Sequence, residues 1–289
     1  MPRPNPITFF KQSLKSDAYY ADELINIYLL RPIASTIVWV LYPTPITPNQ
    51  LTVAAIVVGI AAAFTYTLNT PTAIAIAGLL VTAKDILDDA DGQLARAKEM
   101  YSRRGRFLDS IGDFAVNVAL FTAITSVVYK THDNVMTIVL GVLGLFGITL
   151  RVSYHVFYQV SFLHLEDRYK LNRMMEEISD EDRRGDSVTL LLQRIFLLIY
   201  GRQDRLMYRI DQWCRGTNLA DELYPKWYSD RPALRLSSLL GFGTEYALLM
   251  ICSLYGALDL YLLLNVFLMN GIWLASVFYR RYVLRMSLR

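Results

Sequence analysis

Apolar residues along this chain come in long blocks separated by short polar stretches, not in the narrow stripe of a soluble amphipathic helix. A membrane span needs about 20 mainly apolar residues, with a range of roughly 17–25. Six blocks reach that length: residues 51–69 ("LTVAAIVVGIAAAFTYTLN"), 71–90, 108–129, 135–163, 237–256 and 258–280. Periodicity alone does not separate a buried soluble helix from a span, so length, clustering and number decide. The expected fold is an all-α integral membrane protein with six transmembrane helices.

Two further segments are apolar on one side only. Residues 23–42, "ELINIYLLRPIASTIVWVLY", are interrupted by Arg31-Pro32 and read as an N-terminal amphipathic helix on the membrane surface, with a seventh span as the alternative. The proline-rich "PTPITPNQLT" that follows is a turn, with Asn49 and Thr52 as candidate caps of the first span. Between the fourth and fifth spans lies a polar, cytoplasmic helical insert, residues 164–236. Its "SVTLLLQRIFLLIYG" is too short to span, contains Gln193 and Arg194, and reads as a second surface helix. The chain thus divides into 1–50, 51–163, 164–236 and 237–289.

Composition agrees with the pattern. The chain has 289 residues, 54% hydrophobic and 19% charged, against roughly 45–50% and about 25% in soluble domains. A net charge of +3 gives no case for nucleic acid. Cys214 and Cys252 form no CxxC pair, so neither a disulfide framework nor a zinc site is expected. The start "MPRPNPITFFKQSLKSD" lacks the apolar core of a secretory signal peptide. Charge also orients the spans. With six, both termini, the loop 91–107 and the insert share one side. That side holds Arg3, Lys11, Lys15, Lys98, Arg103, Arg104, Arg106 and the tail "YRRYVLRMSLR", and the short loops opposite hold Lys130. The positive-inside rule places the basic side in the cytoplasm.

The candidate chemistry lies where the second span ends and the third begins, in "DILDDADGQLARAKEMYSRRGRFLDSIGDFAVN". Asp88 and Asp91 are three apart and Asp109 and Asp113 four apart, so each pair shares a helix face. Four carboxylates brought together repel unless cations neutralise them. Oxygen ligands suit Mg²⁺, Mn²⁺ or Ca²⁺, and four have room for two ions clamping phosphate oxygens. Gly92 and Gly105 admit a bulky ligand near the backbone, and Arg96 can fork onto a phosphate. Asp85 and Asp89 fit a solvated helix boundary instead.

The arrangement Asp88-x-x-Asp91-Gly92-x-x-Ala95-Arg96, then eight residues, then Gly105-x-x-x-Asp109-x-x-x-Asp113 resembles the CDP-alcohol phosphotransferase motif at every fixed position. "TPNQLT" also looks like that family's N-terminal region, which adds Asn49 to the cofactor-binding candidates. The resemblance covers about residues 20–163. It implies a six-span membrane enzyme, commonly a homodimer, that moves a phosphoalcohol group from a CDP-linked donor to an alcohol acceptor and releases CMP. It implies that Asp88, Asp91 and Asp109 bind metal, Mg²⁺ or Mn²⁺ and two ions. Asp113 matches the general base, which also touches metal. Gly92, Ala95, Arg96 and Gly105 match positions lining the CDP site.

The acceptor is less legible. Arg151 lies inside the fourth span and reads either as the anchor of a phosphorylated acceptor or as the partner of Glu245 in a salt bridge. Lys84, one turn before Asp88, offsets carboxylate charge, and His155 reads as a packed histidine. The insert reads first as a membrane-surface element, with shaping the acceptor site or binding a partner as the alternatives. Two other functions use Asp-rich motifs. An intramembrane prenyltransferase is disfavoured by the Gly92, Ala95, Arg96 and Gly105 pattern. A cation transporter is disfavoured by carboxylates at the membrane edge.

Overall fold

The computed structural model describes Phe9 and residues 19–165, 176–216 and 219–288, which contain helices and no strand. Arg3, Lys11 and Lys15 of the charge argument lie outside the described residues. The helices are α1 (Asn26–Leu41), α2 (Pro48–Thr67), α3 (Pro71–Ala97), α4 (Arg103–His132), α5 (Val135–Leu165), α6 (Asp180–Arg184), α7 (Ser187–Arg215), α8 (Tyr224–Ser229), α9 (Arg231–Ser238), α10 (Phe242–Leu254) and α11 (Leu258–Ser287).

Four of these, α2, α4, α5 and α11, are long and apolar enough to cross a membrane, and α9 with α10 makes a fifth candidate bent by 43°. The six-span expectation counts α3 as well. At 27 residues α3 is long enough, but its second half carries Lys84, Asp85, Asp88, Asp89 and Asp91. These charges take it below the apolarity of an ordinary span.

The helix starts are written in the sequence. Thr47 is extended before α2, its N–H donates to Gln50 Oε1 at 2.9 Å, and Pro48 takes the first helical position, where no N–H is missed. The expected caps Asn49 and Thr52 therefore point elsewhere. Thr70 caps α3 by accepting from the Ala73 N–H at 3.2 Å, and Ser102 caps α4 by accepting from the Gly105 N–H at 2.9 Å. Helix α1 runs through Arg31-Pro32 without a break. The widened turn Asn26–Leu30 immediately precedes it and accommodates a residue that lacks an N–H.

Helix α2 is the shared partner of α3 and α4. Small residues permit this: a methyl at Gly59 would stand 2.6 Å from the Val116 side chain, and one at Gly112 would run into Ile56. Short helix α10 packs on α3 and is tied to the bundle by buried polar contacts. Tyr246 on α10 donates to Asn117 on α4 at 3.2 Å, Tyr66 on α2 meets Ser253 on α10 at 2.6 Å, and Asn265 on α11 donates to Glu245 on α10 at 2.8 Å. In an apolar surrounding such groups need partners, so these bonds also fix which faces meet.

The insert is more than a surface helix. Helix α7 is 29 residues long and packs against α4 and α5. Its Asp211 is fully buried and accepts from Tyr158 (3.1 Å), Trp227 (2.8 Å), Tyr228 (2.9 Å) and Arg215 (2.7 Å). Four donors on one carboxylate join α5, α7 and α8 in a second core. Leu198 on the other face is 81% exposed, as a helix with one buried side requires.

Candidate active site

Helices α3 and α4 bring the motif together at their facing ends, with α2 packed against both. Asp88, Asp91 and Asp109 each present an oxygen within 4.8 Å of the others. Thr52 on α2 donates its hydroxyl to Asp91 Oδ2 and holds that carboxylate. Read in the sequence only as a cap, Thr52 is a site residue whose signal lies in its place one turn after the Thr47 cap. Asp109 Oδ1 is buried with no hydrogen-bond partner among the described residues. A buried acceptor left unpaired is costly, and three converging carboxylates cost more. An all-oxygen donor set with an orphaned oxygen fits a hard divalent cation.

The fourth carboxylate is held differently. Asp113 is buried and forms an ion pair through Oδ1 with Lys84 of α3, whose ammonium also lies 3.7 Å from Asp88. Lys84 is itself 1% exposed and sits over the Tyr246 ring at 5.4 Å. Asp85, expected at a solvated boundary, is buried instead, because α3 is covered there. Asp89 is partly buried and accepts from Gln93 at 3.1 Å.

Of the nucleotide-site candidates, Gly92 and Ala95 are partly exposed and Arg96 is exposed on the last turns of α3. A methyl at Gly92 would meet nothing nearer than Arg96, at 3.5 Å, so the backbone there is open to a ligand. At Gly105 a methyl would stand 2.5 Å from Asn49 Oδ1 and 2.9 Å from Ser102 Oγ, so glycine lets the Asn49 amide reach the start of α4. The structure thus sets Asn49 of α2 beside Gly105 of α4, the helix that also carries Asp109 and Asp113. Arg151 is not brought to them. It is fully buried, paired with Glu245, and donates through Nη1 to Asn270 at 2.7 Å. His155 is buried, with Nδ1 unpartnered among the described residues.

A cavity of about 350 Å³ opens beside Asp109 and Asp113, between α4, α5 and α7. Its far wall includes Tyr200 and Asp204 of the insert. Tyr200 donates to the Ser110 carbonyl at 2.9 Å, and Ser153 on α5 donates to Gln203 on α7 at 2.7 Å. Glu176, also of the insert, binds Arg103 at 2.6 Å and pairs with Arg106. Arg103 also pairs with Asp182, and this holds the Asp182 carboxyl well below the usual range. The insert is therefore fastened to the first turn of α4, beside Gly105.

With this geometry established, comparison with known proteins gives the class. Residues 45–168 match the model of the CDP-alcohol phosphatidyltransferase family, whose members are transferases of phosphate-containing groups. The chain is also similar to two proteins described as bifunctional IPC transferase and DIPP synthase. One, from Thermococcus kodakarensis, is 35% identical over 133 residues, covering 46% of this chain and 29% of that protein. The other, from Archaeoglobus fulgidus, is 37% identical over 97 residues, covering 33% of this chain and 19% of that protein. The matches thus span less than a third of either relative. The family is generally divalent-metal dependent, which agrees with the donor set found here.

Proposed function

We propose that this chain transfers a phosphoalcohol group, a phosphatidyl group in the first instance, from a CDP-linked donor to an alcohol acceptor, releasing CMP in phospholipid synthesis. The observation that carries this reading is the convergence of Asp88, Asp91 and Asp109, with oxygens within 4.8 Å, beside a cavity lined by Asp109 and Asp113. These carboxylates would hold Mg²⁺ or Mn²⁺, two ions on this reading, which offset pyrophosphate charge and stabilise departing CMP.

The chain's own groups have separable tasks. Asp113 takes the acceptor's hydroxyl proton as the new P–O bond forms. Lys84 fixes Asp113 through Oδ1 and leaves the second oxygen for that proton. Open backbone at Gly92, with Ala95, makes room for the nucleotide, and Arg96 binds phosphate oxygen. Asn49 against Gly105 offers an amide at the same edge. Arg151 is a structural ion pair on this reading.

Counting α3 and the bent α9–α10 pair gives six spans, with the site on the cytoplasmic side, α1 on the membrane surface and the four-part division at 50, 163 and 236. Homodimerisation follows the family habit. The test is CMP release by the purified protein in lipid, with CDP-diacylglycerol, Mg²⁺ or Mn²⁺, and acceptors offered singly: glycerol 3-phosphate, inositol, inositol phosphate and serine. Metal-dependent CMP release, abolished in Asp113→Asn, is expected. Diphosphate release in its place, or failure to bind CDP, overturns the assignment.

A further inference from the structure

We propose that helix α7 of the insert forms the acceptor half of the site, and that Asp204 selects an alcohol rich in hydrogen-bond donors and free of negative charge. This inference rests on the phosphotransfer reading above. The other carboxylates around the cavity are already committed. Asp113 has Lys84, and Glu176 has Arg103 and Arg106. Asp109 belongs to the cation cluster. Asp204 lines the same cavity and, among the described residues, has neither an ion pair nor a hydrogen bond. Burial and the nearby Glu176, against the pull of Arg106, push its carboxyl up to about 6, so at neutral pH it is an ionised, partly desolvated acceptor with no hydrogen-bond donor among the described residues. Such a group gains by meeting a ligand hydroxyl or ammonium and loses by meeting a phosphate.

The place of Asp204 is not accidental to the fold. Tyr200, one turn earlier on the same face, is bound to the Ser110 carbonyl, and Gln203 is bound by Ser153. Phe196, another turn back, packs on Phe107 of α4 with ring centres 5.4 Å apart. This stretch of α7 is thus fixed against the two helices that frame the cavity. A volume of about 350 Å³ is at the small end for ligand pockets, roughly 300–1,000 Å³. It suits the smaller reactant, with the nucleotide-linked lipid at the carboxylate cluster. Among the described lining residues Arg106 is the one basic side chain, and Glu176 already binds it.

A polyol and an amino alcohol share this chemistry, and the test separates them. The full-length protein in lipid vesicles would be supplied with CDP-diacylglycerol and Mn²⁺, and CMP release followed with inositol, glycerol, ethanolamine, inositol phosphate or glycerol 3-phosphate. CDP binding would be measured in parallel. Turnover with an uncharged or cationic acceptor is expected, with the better arm naming the source. Asp204→Ala should raise the acceptor KM roughly tenfold or more while CDP affinity stays unchanged. Asp204→Arg should shift preference towards the phosphorylated acceptors. Preferred turnover of a phosphorylated acceptor by the unaltered protein, or an unchanged acceptor KM in Asp204→Ala, overturns the inference and leaves the phosphotransfer reading intact. Loss of CDP binding in the unaltered protein overturns both.

Discussion

Lys84 and Asp113 form a buried ion pair between α3 and α4, and the same ammonium lies 3.7 Å from the cluster carboxylate Asp88. One lysine thus couples the proposed base to the proposed metal ligands. Removing it leaves Asp113 without its compensating charge, and breaking a buried pair costs about 3–5 kcal/mol. Lys84→Met should therefore lower both thermal stability in detergent and CMP release. Asp113→Asn should lose activity by roughly 10²–10⁴-fold with a smaller drop in stability. Equal stability in Lys84→Met and the parent would show that the pair is not what positions Asp113.

Arg151 and Glu245 make a second buried pair, both fully enclosed. Either single change, Arg151→Met or Glu245→Gln, should destabilise the protein by about 3–5 kcal/mol. The double change Arg151→Met with Glu245→Met should recover much of that loss. The discriminating readout is the acceptor KM of whatever folded fraction remains. A KM unchanged by Arg151→Met agrees with a structural pair, and a large rise would return Arg151 to the acceptor site.

Gly105 leaves no room for a side chain because Asn49 fills it. Gly105→Ala should reduce CDP affinity by displacing the Asn49 amide, since a methyl would stand 2.5 Å from Asn49 Oδ1. Asn49→Gly restores space but not the amide. The two changes should therefore be less than additive in CDP titrations, as expected of neighbours sharing one contact.

Asp204 gives a pH signature. Its carboxyl is raised from 3.8 to about 6, chiefly by burial. A raised acid pKa means that the folded state prefers the protonated form. The ionised side chain therefore opposes folding above about pH 6, and the opposition fades as pH falls towards 4. Asp204→Asn should thus raise the melting temperature at pH 7.5 and give no gain near pH 4, measured by thermal unfolding at both values. A gain that grows as pH falls would contradict this assignment.

Much of the site was legible before the fold. Asp88, Asp91 and Asp109 fall on helix faces fixed by spacing alone, and their convergence needed only two helices meeting end to end. Gly105 was legible as a close approach, though not what approached it. Less visible was anything that depended on contacts distant in sequence. Thr52 reaches Asp91 across 39 positions, and Arg151 finds Glu245 across 94. Nothing in the local pattern chooses between a cap and a ligand holder, or between an anchor and a salt bridge. The insert was read first as membrane surface because its apolar face and charged flanks fit that role equally well. Tyr200 and Asp204 are four apart and share the face of α7 that lines the cavity, which a surface reading of the helix does not single out. The cap of α2 differs from the sequence reading for a related reason. Residue type ranks Asn above Thr as a cap, but the chain direction set by Pro48 decides the position.

The central claim is that Asp88, Asp91 and Asp109 form a divalent-cation centre. Mn²⁺ binding by the purified protein, followed by electron paramagnetic resonance during titration with the metal, tests it most directly. Saturable binding that is lost or weakened severalfold in Asp109→Asn, with the helical circular dichroism spectrum retained, is the predicted result. Binding in Asp109→Asn indistinguishable from the unaltered protein, or no saturable binding at all, would contradict it.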